Sequence, residues 1–408
     1  MLKSSYWLSR VLLEQSYIVE DERVTGTKTK SCHLHIEDGV ITEIVDASSP
    51  IHSDLPIYDG GNLLMLPSFI EGHIHLDKTY FSDAWHAVKP ISSIFDRIEE
   101  EKVLLPQILP KSQQQAENIL TLIQGLGTTH VRTHCNIEHV SGLHRLEATQ
   151  RALATFANKM TSEIVAFPQH GLLHSDSVGL VREAMREGAT HVGGLDPHSV
   201  DGDIEKSLQT MFELAIEADA GIDMHLHESG EHAKHTLLRL ADLTEEAGLI
   251  GCVTVSHAFW FASAQASEAE LMADRFSELG ISIASTVPIG RTHMPLPMLG
   301  SKGVKVNLGT DSLTDHWSPF GNGDMLEKAG RFAELYHYND EFRLSQSLRY
   351  ITGGITPLDS KGNQVWPKVG DHANFVLVQA SCSAEAVARR APRQSVWYQG
   401  QKVSETIS

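Results

Sequence analysis

The chain has 408 residues, a formal net charge of −19 with histidine neutral, 23 histidines and four cysteines. This length suits one large domain with a small accessory domain, and the negative charge argues against nucleic acid as a partner. The scattered cysteines form no Cys-x-x-Cys pair, which argues against a thiolate zinc site or a disulfide framework. Without a signal peptide or an apolar run of about 18 residues, we expect a cytoplasmic protein with no membrane partner. Homo-oligomerisation is left open.

Short strand-like segments are predicted at both ends of the chain. Residues 32–44 contain Asp38-Gly39 between two runs of alternating apolar residues, which is a strong β-hairpin signal. Near the C-terminus, residues 373–378 are strand-like and residues 395–403 are typical of a closing hairpin. We therefore expect residues 1–64 and 364–408 to pair into one small β-sandwich domain.

Between the two ends, residues 65–363 alternate strand-like runs with amphipathic helical stretches. Eight strands are predicted, at residues 64–75, 128–135, 163–168, 190–195, 221–227, 252–258, 281–286 and 304–310. Eight β/α units predict an α/β fold, a TIM-like (β/α)8 barrel with its chemistry at the carboxyl ends of the strands. The long connection at residues 81–111 either caps a pocket or packs as a peripheral helix.

Polar side chains recur at the carboxyl ends of four predicted strands. His73 and His75 lie one residue apart on an extended segment, so both point to one side and can hold one metal ion. Later strand ends supply further metal-ligating and titratable groups, which are His225, His227, Glu228, His257 and Asp311. Because His225 and His227 share a strand face, spacing alone leaves both as ligand candidates. Four converging strand ends predict a metal site.

Six stretches in chain order resemble the amidohydrolase superfamily and, within it, the cytosine-deaminase-like branch. They are residues 67–78, 131–134, 164–169 with Phe167-Pro168-Gln169, 223–228 with His225-x-x-Glu228, 256–257, and 309–311 followed by Asp315 and Trp317. The chain is also similar to N-isopropylammelide isopropylaminohydrolase-type proteins. The resemblance spans nearly the whole sequence and implies a metal-dependent hydrolase barrel.

Carried over residue by residue, the resemblance implies one divalent metal ion, Zn²⁺ or Fe²⁺. Its ligands would be His73, His75, His225 and Asp311, with His225 favoured over His227 by the His-x-x-Glu spacing. Asp311 would also move a proton from water to the leaving nitrogen, His257 would hold that water, and Glu228 would protonate the ring. The implied substrate-binding residues are Gln169, Trp317, His227 and His170.

Two differences from the cytosine deaminase pattern and two missing sequence features narrow the expected substrate and metal content. The cytosine deaminase pattern has carboxylates where this chain has His227 and His170, which argues against cytosine itself as the substrate. Residues 190–196 contain no lysine, whereas binuclear relatives use a carboxylated lysine on the fourth strand, so one metal ion is expected. The missing Cys-x-x-Cys excludes the zinc nucleobase deaminases of the other fold. We interpret Lys78 as a scaffold residue held by an ion pair.

The expected function is hydrolytic deamination of a small nitrogen heterocycle. Metal-bound hydroxide would attack an amino-bearing carbon and release ammonia. One alternative is hydrolysis of an N-substituted amino-heterocycle or a cyclic amide in the same superfamily. Another, from a different class, is a non-catalytic metal-binding protein; the combination of acid, base and open metal position argues against it.

Overall fold

The computed structural model describes residues 4–290 and 292–405, which form two sheets of eight strands each. The first sheet, here called the terminal sheet, is built from both ends of the chain. Its strands are β1 (Ser5–Glu20), β2 (Arg23–Glu37), β3 (Val40–Asp46), β4 (Ile57–Asp59), β5 (Leu64–Pro67), β14 (Phe375–Val378), β15 (Arg393–Tyr398) and β16 (Gln401–Glu405). Their order is β16-β15-β14-β5-β1-β2-β3, with β4 paired to β1. The predicted pairing of the two ends is confirmed.

Both predicted hairpins are present in the terminal sheet. Glu37 pairs with Val40, and the two residues between them, Asp38 and Gly39, have φ of 48° and 79°. Two positive φ values in a two-residue loop define the turn whose twist matches that of paired strands. The C-terminal hairpin joins β15 to β16 in the same way. Local turn chemistry therefore determines both hairpins.

The second sheet is a nearly closed parallel barrel, which confirms the predicted (β/α)8 fold. Its strands, in spatial as well as chain order, are β6 (Phe69–Ile74), β7 (Thr128–Asn136), β8 (Thr161–Phe167), β9 (His191–Leu195), β10 (Gly221–His225), β11 (Val253–Ser256), β12 (Ser282–Ser285) and β13 (Val306–Leu308). A parallel bridge between Ile74 and Asp311 connects the last strand's end to the first.

Helices surround the barrel and follow most of its strands. They are α1 (Ile94–Ile108), α2 (Ser112–Gly125), α3 (His144–Ala154), α4 (Val178–Arg186), α5 (Ile204–Ala218), α6 (Gly230–Glu246), α7 (Trp260–Ser263), α8 (Ala266–Glu278), α9 (Leu296–Ser301), α10 (Met325–Leu335), α11 (Glu341–Gln346) and α12 (Ser383–Arg389). Side-chain caps start several of them; Ser93 and Asp96 form a capping box on α1. Within the described residues, no helix has the length and apolar character needed to cross a membrane.

The first predicted strand, at residues 64–75, is divided between the two sheets, and its prediction as one strand was wrong. β5 pairs with β14 in the terminal sheet, whereas β6 pairs with β7 in the barrel. The backbone changes partner at one step: the Ser68 amide donates to Asn374, and the Phe69 amide donates to Gly127. An uninterrupted apolar run gives no sign of this change, because residues buried in either sheet look alike.

Candidate metal centre and active site

Four side chains from three strand ends meet at the carboxyl-terminal edge of the barrel, here called the mouth. His73, His75, His225 and Asp311 each offer one ligand atom, and these atoms all lie within 4.8 Å of one another. Nε2 of His73 and Nε2 of His75 are 3.4 and 3.3 Å from Oδ1 of Asp311. The predicted ligand set is therefore brought together by the fold.

The backbone fixes this geometry through the contact between β6 and the segment after β13. The Asp311 amide donates to the His73 carbonyl at 2.7 Å, and the His75 amide donates to the Asp311 carbonyl at 3.0 Å. Asp311 itself has φ of 62°, a strained value for aspartate. A Cβ on Gly309 would lie 2.6 Å from the Cβ of His73, so only glycine allows the close approach.

The donor atoms of the cluster fit a metal ion. Nε2 of His73 and both ring nitrogens of His225 are buried and have no hydrogen-bond partner within the described part of the chain. Buried polar atoms in folded proteins are normally satisfied, so such a group points to a ligand. Three imidazoles and a carboxylate suit a borderline divalent cation such as Zn²⁺ or Fe²⁺.

A buried hydrogen-bond relay, which runs from His73 through Ser256 to Asp223, sets the tautomer of the His73 ring. Ser256 Oγ donates to Asp223 Oδ1 at 2.6 Å, so His73 Nδ1, at 2.8 Å from the same hydroxyl, must be the donor to Ser256. The Nε2 lone pair of His73 is then available toward Asp311. Arg132 donates to Asp223 at 3.1 Å and balances its charge. Such partners of a ligating histidine orient it and raise its basicity.

Burial favours the neutral, metal-binding form of three imidazoles at the mouth. Desolvation lowers the pKa of His75, and it lowers the pKa values of His225 and His257 well below the usual range. For Asp311, burial alone would raise the pKa, but the adjacent rings of His73, His75 and His257 outweigh it and hold the pKa well below the usual range. The cluster thus combines the neutral rings of His75 and His225 with an ionised carboxylate.

His257 lies beside the cluster in a position to hold water. Its Nε2 is 3.8 Å from Oδ2 of Asp311, and both of its ring nitrogens are buried without a partner among the described residues. The His257 ring stacks on His227 with centroids 4.4 Å apart. His227 in turn donates from Nδ1 to Asp196 at 2.9 Å. Burial opposes protonation of His227, but Asp196 outweighs it and raises its pKa.

A small cavity of about 60 Å³, here called the inner cavity, adjoins the cluster. Its lining includes three cluster residues together with Lys78, Ile94, Phe167, Gln169, His227, His257, Ser312 and Trp317. Lys78 Nζ donates to Gln169 Oε1 at 2.6 Å and so fixes the orientation of that amide. Of the predicted substrate-binding residues, Gln169, His227 and Trp317 line this cavity.

The segment at residues 81–111 forms one wall of the inner cavity through α1. Ile94 lines the cavity, and the fully buried Glu101 lies behind its wall. Glu101 accepts hydrogen bonds from Trp317 Nε1 at 2.8 Å, His316 Nε2 at 2.7 Å and His170 Nε2 at 3.0 Å. Its carboxylate is also 3.8 Å from Lys78 Nζ, so Lys78 has the expected ion pair but lines the cavity as well.

Two of the predicted catalytic and substrate-binding residues are placed outside the lining of the inner cavity. His170 bonds to Glu101 and lies one layer behind the wall. Glu228 accepts from the Ser199 amide through Oε1 at 2.6 Å, and its Oε2 is buried without a partner in the described chain. Their roles in catalysis and binding stay predictions, which rest on the family resemblance of the sequence.

Sequence reasoning assigned no role to two residues that the fold brings to the mouth. His134, at the end of β7, packs on His73 with centroids 4.0 Å apart, and both of its nitrogens lack partners among the described residues. Asp196, just after β9, orients His227 through its ring and its backbone amide. His134 lies near the carboxyl end of β7 and Asp196 just after that of β9, so the rule that located the ligands could also have found them.

Comparison with known proteins agrees with this arrangement. The amidohydrolase family model matches residues 103–404, and the chain belongs to this family. It is 48% identical to the uncharacterized protein YahJ of Escherichia coli K12, over 99% of this chain and 88% of that protein. The structure of N-isopropylammelide isopropylaminohydrolase from Burkholderia multivorans is 27% identical, with a TM-score of 0.86 and 99% of both chains covered.

A second solved structure supports the fold. The 5-methylcytosine deaminase of Klebsiella pneumoniae is 23% identical, with a TM-score of 0.80 over 99% of this chain and 98% of that chain. The predicted membership of the amidohydrolase superfamily, with cytosine-deaminase-like relatives, is confirmed. The protein is a hydrolase of carbon–nitrogen bonds by family, and its ligand cluster suits the metal on which that superfamily depends.

Proposed function

We propose that the protein is an aminohydrolase with one divalent metal ion, which removes an amino group from a small nitrogen heterocycle and releases ammonia. One observation carries the proposal: the cluster of three histidines and Asp311 faces a cavity that His257, Gln169 and Trp317 also line. The ion, held by His73, His75, His225 and Asp311, would supply Lewis acidity and lower the pKa of water.

The residues around the cluster then have separate tasks. Asp311 accepts the proton of the attacking water and passes it to the departing nitrogen, while His257 orients the water. The Gln169 amide hydrogen-bonds the ring, and the Trp317 indole stacks on it. Glu228 donates a proton to the ring nitrogen beside the attacked carbon, an assignment supported by the His-x-x-Glu spacing.

A second candidate is hydrolysis of an N-alkylamino heterocycle, in which an amine leaves instead of ammonia. A larger chamber of about 740 Å³ adjoins the inner cavity and shares Asp311, Ser312 and Trp317 with it. That space could admit a substituent on the leaving nitrogen. The likeness to an N-isopropylammelide hydrolase gives this candidate further support.

The test is an ammonia-release screen of the metal-loaded protein against aminopyrimidines, aminopurines, pterins, aminotriazines and imidazolones. We expect ammonia from at least one class at rates at least about a thousandfold above those of Asp311→Asn, which lacks both a ligand and the proton carrier. Alkylamine without ammonia from N-alkylated rings would favour the second candidate. Absence of both ammonia and alkylamine, or two metal ions per chain, would contradict the proposal.

A further inference from the structure

The space beside the inner cavity, here called the outer chamber, is more than ten times larger than that cavity, at about 740 against 60 Å³. It is lined by residues that follow β12 and β13 and by α10, among them Thr286, Ile289, Phe320, Glu327, Lys328 and Arg331. Asp311 and Trp317 border both spaces. A substrate that extends beyond a single ring would therefore have room on this side.

The outer chamber holds a buried cation, Lys328, whose charge has no close partner among the described residues. Only 7% of Lys328 is exposed, and Nζ donates one hydrogen bond, to the Thr286 carbonyl at 3.2 Å. Within the described residues, no carboxylate lies within 4 Å of this ammonium. An ammonium has three donors, and burying one without an anion is costly. In a chain of charge −19, such a group requires a specific explanation.

The other charged residues of the chamber do not neutralise Lys328. Arg331 donates to Glu327 at 3.0 Å, one turn away on α10, so these two charges compensate each other. Asp311 belongs to the ligand cluster at the mouth, with His73, His75 and His225. Burial lowers the pKa of Lys328 and Arg331 lowers it further, whereas the charges of Glu71, Glu327 and Asp311 act in the opposite direction without outweighing them. A bound anion would relieve the cost of this buried charge.

We propose that the outer chamber is a binding subsite for a carboxylate substituent of the substrate, held by Lys328 while the ring occupies the inner cavity. A single uncompensated cation suits one negative charge better than a doubly charged phosphate, which would also face Glu327 and Asp311. The exposed side chains of Ile289 and Phe320 provide apolar contact for the carbon linker. The placement of the ring rests on the function proposed above.

The subsite can be tested with rings that carry no amino group and cannot react. Isothermal titration calorimetry of the metal-loaded protein would compare uracil with uracil-5-acetate, and 2-pyridone with 2-pyridone-3-acetate, in which a carbon linker separates the carboxylate from the ring. In at least one pair, we expect the carboxylate to bind about tenfold more tightly, as a charge-assisted hydrogen bond would give. Failure of both pairs to show a gain overturns the proposal without any variant.

Lys328→Met should abolish the gain from the carboxylate while leaving the affinity for the neutral ring unchanged. Lys305→Met is the matched control, since Lys305 is an exposed lysine just before β13, at the opposite end of that strand. A gain that survives in Lys328→Met overturns the role of this residue. If the ammonia screen fails but the gain depends on Lys328, the aminohydrolase proposal falls and the subsite remains.

Discussion

The mouth of the barrel and the terminal sheet differ in how far their buried polar atoms are hydrogen-bonded. In the terminal sheet, the Trp397 indole donates to Ser395 and the Arg10 amide donates to His33, so these buried side chains are satisfied within the sheet. At the mouth, ring nitrogens of five histidines have no partner among the described residues: His73, His75, His134, His225 and His257. Buried polar atoms such as those of Trp397 and His33 are hydrogen-bonded within the terminal sheet, whereas the unpartnered ring nitrogens of the mouth point to a bound ligand.

One residue of the terminal sheet resembles the mouth. Glu14 on β1 is almost fully buried, and one of its carboxylate oxygens has no partner within the described residues. Burial raises its pKa to about 7, as it does for Glu71 behind the ligand cluster at the mouth. Glu71 accepts from the amides of His73 and Thr310, so it supports the mouth. The same type of group thus supports the mouth in one region, whereas in the other Glu14 accepts from the Ser383 amide and joins β1 to α12.

Among the substitutions that test the contrast between the mouth and the terminal sheet, Glu228→Gln is expected to have the largest effect. If Glu228 is the acid of the mouth, the change should lower kcat about a hundredfold to ten-thousandfold and leave the metal bound, since glutamine cannot donate the same proton. Steady-state kinetics and metal analysis of the purified variant measure both. Turnover near that of the wild type would remove Glu228 from the mechanism.

A smaller effect is expected for Ser256→Ala, which breaks the relay between His73 and Asp223. Metal affinity should fall about tenfold to hundredfold because His73 loses the acceptor that fixes its tautomer. Competition with a chelator measures this affinity. Ser285→Ala, a buried serine at the end of the neighbouring β12, is the control and should bind the metal as the wild type does. Equal affinity in all three proteins would refute the relay.

The smallest effect concerns stability and the terminal sheet. With a pKa of about 7 in the folded chain and an ordinary value of 4.5 when unfolded, Glu14 binds its proton more tightly in the folded state. Stability from this group is therefore greatest at low pH and is lost as pH rises from about 4.5 through 7. Between pH 5.5 and 7 the loss should be about 1.5 kcal/mol.

Urea unfolding of the wild type and Glu14→Gln at these two pH values checks the sign. The variant cannot ionise, so its stability relative to the wild type should increase across the interval. Glu20→Gln, at the exposed end of the same strand, controls for the loss of a charge. A difference between Glu14→Gln and wild type that stays constant with pH would show that Glu14 is not the group responsible.

Much of the site followed from local sequence rules. Side chains two residues apart on a strand share a face, so the spacing of His73 and His75 predicts a shared ligand, and the polar residues after later strands predict His225, His257 and Asp311. Glu228 illustrates the limit of such rules. The family resemblance implies that it is the acid, but its hydrogen bond to Ser199 depends on a loop that the strand pattern does not specify.

The sequence by itself determined the alternation of strands and helices and both hairpins, because each depends on the periodicity of neighbouring residues or on turn chemistry, whereas the full ligand set was implied only by the family resemblance. Only the tertiary structure decided where the first strand divides at Ser68, that Glu101 joins α1 to the wall of the inner cavity, and that Lys328 is buried beside Asp311 in the outer chamber. These features depend on pairing between segments far apart in the chain, and no local pattern encodes which distant partner a buried residue meets.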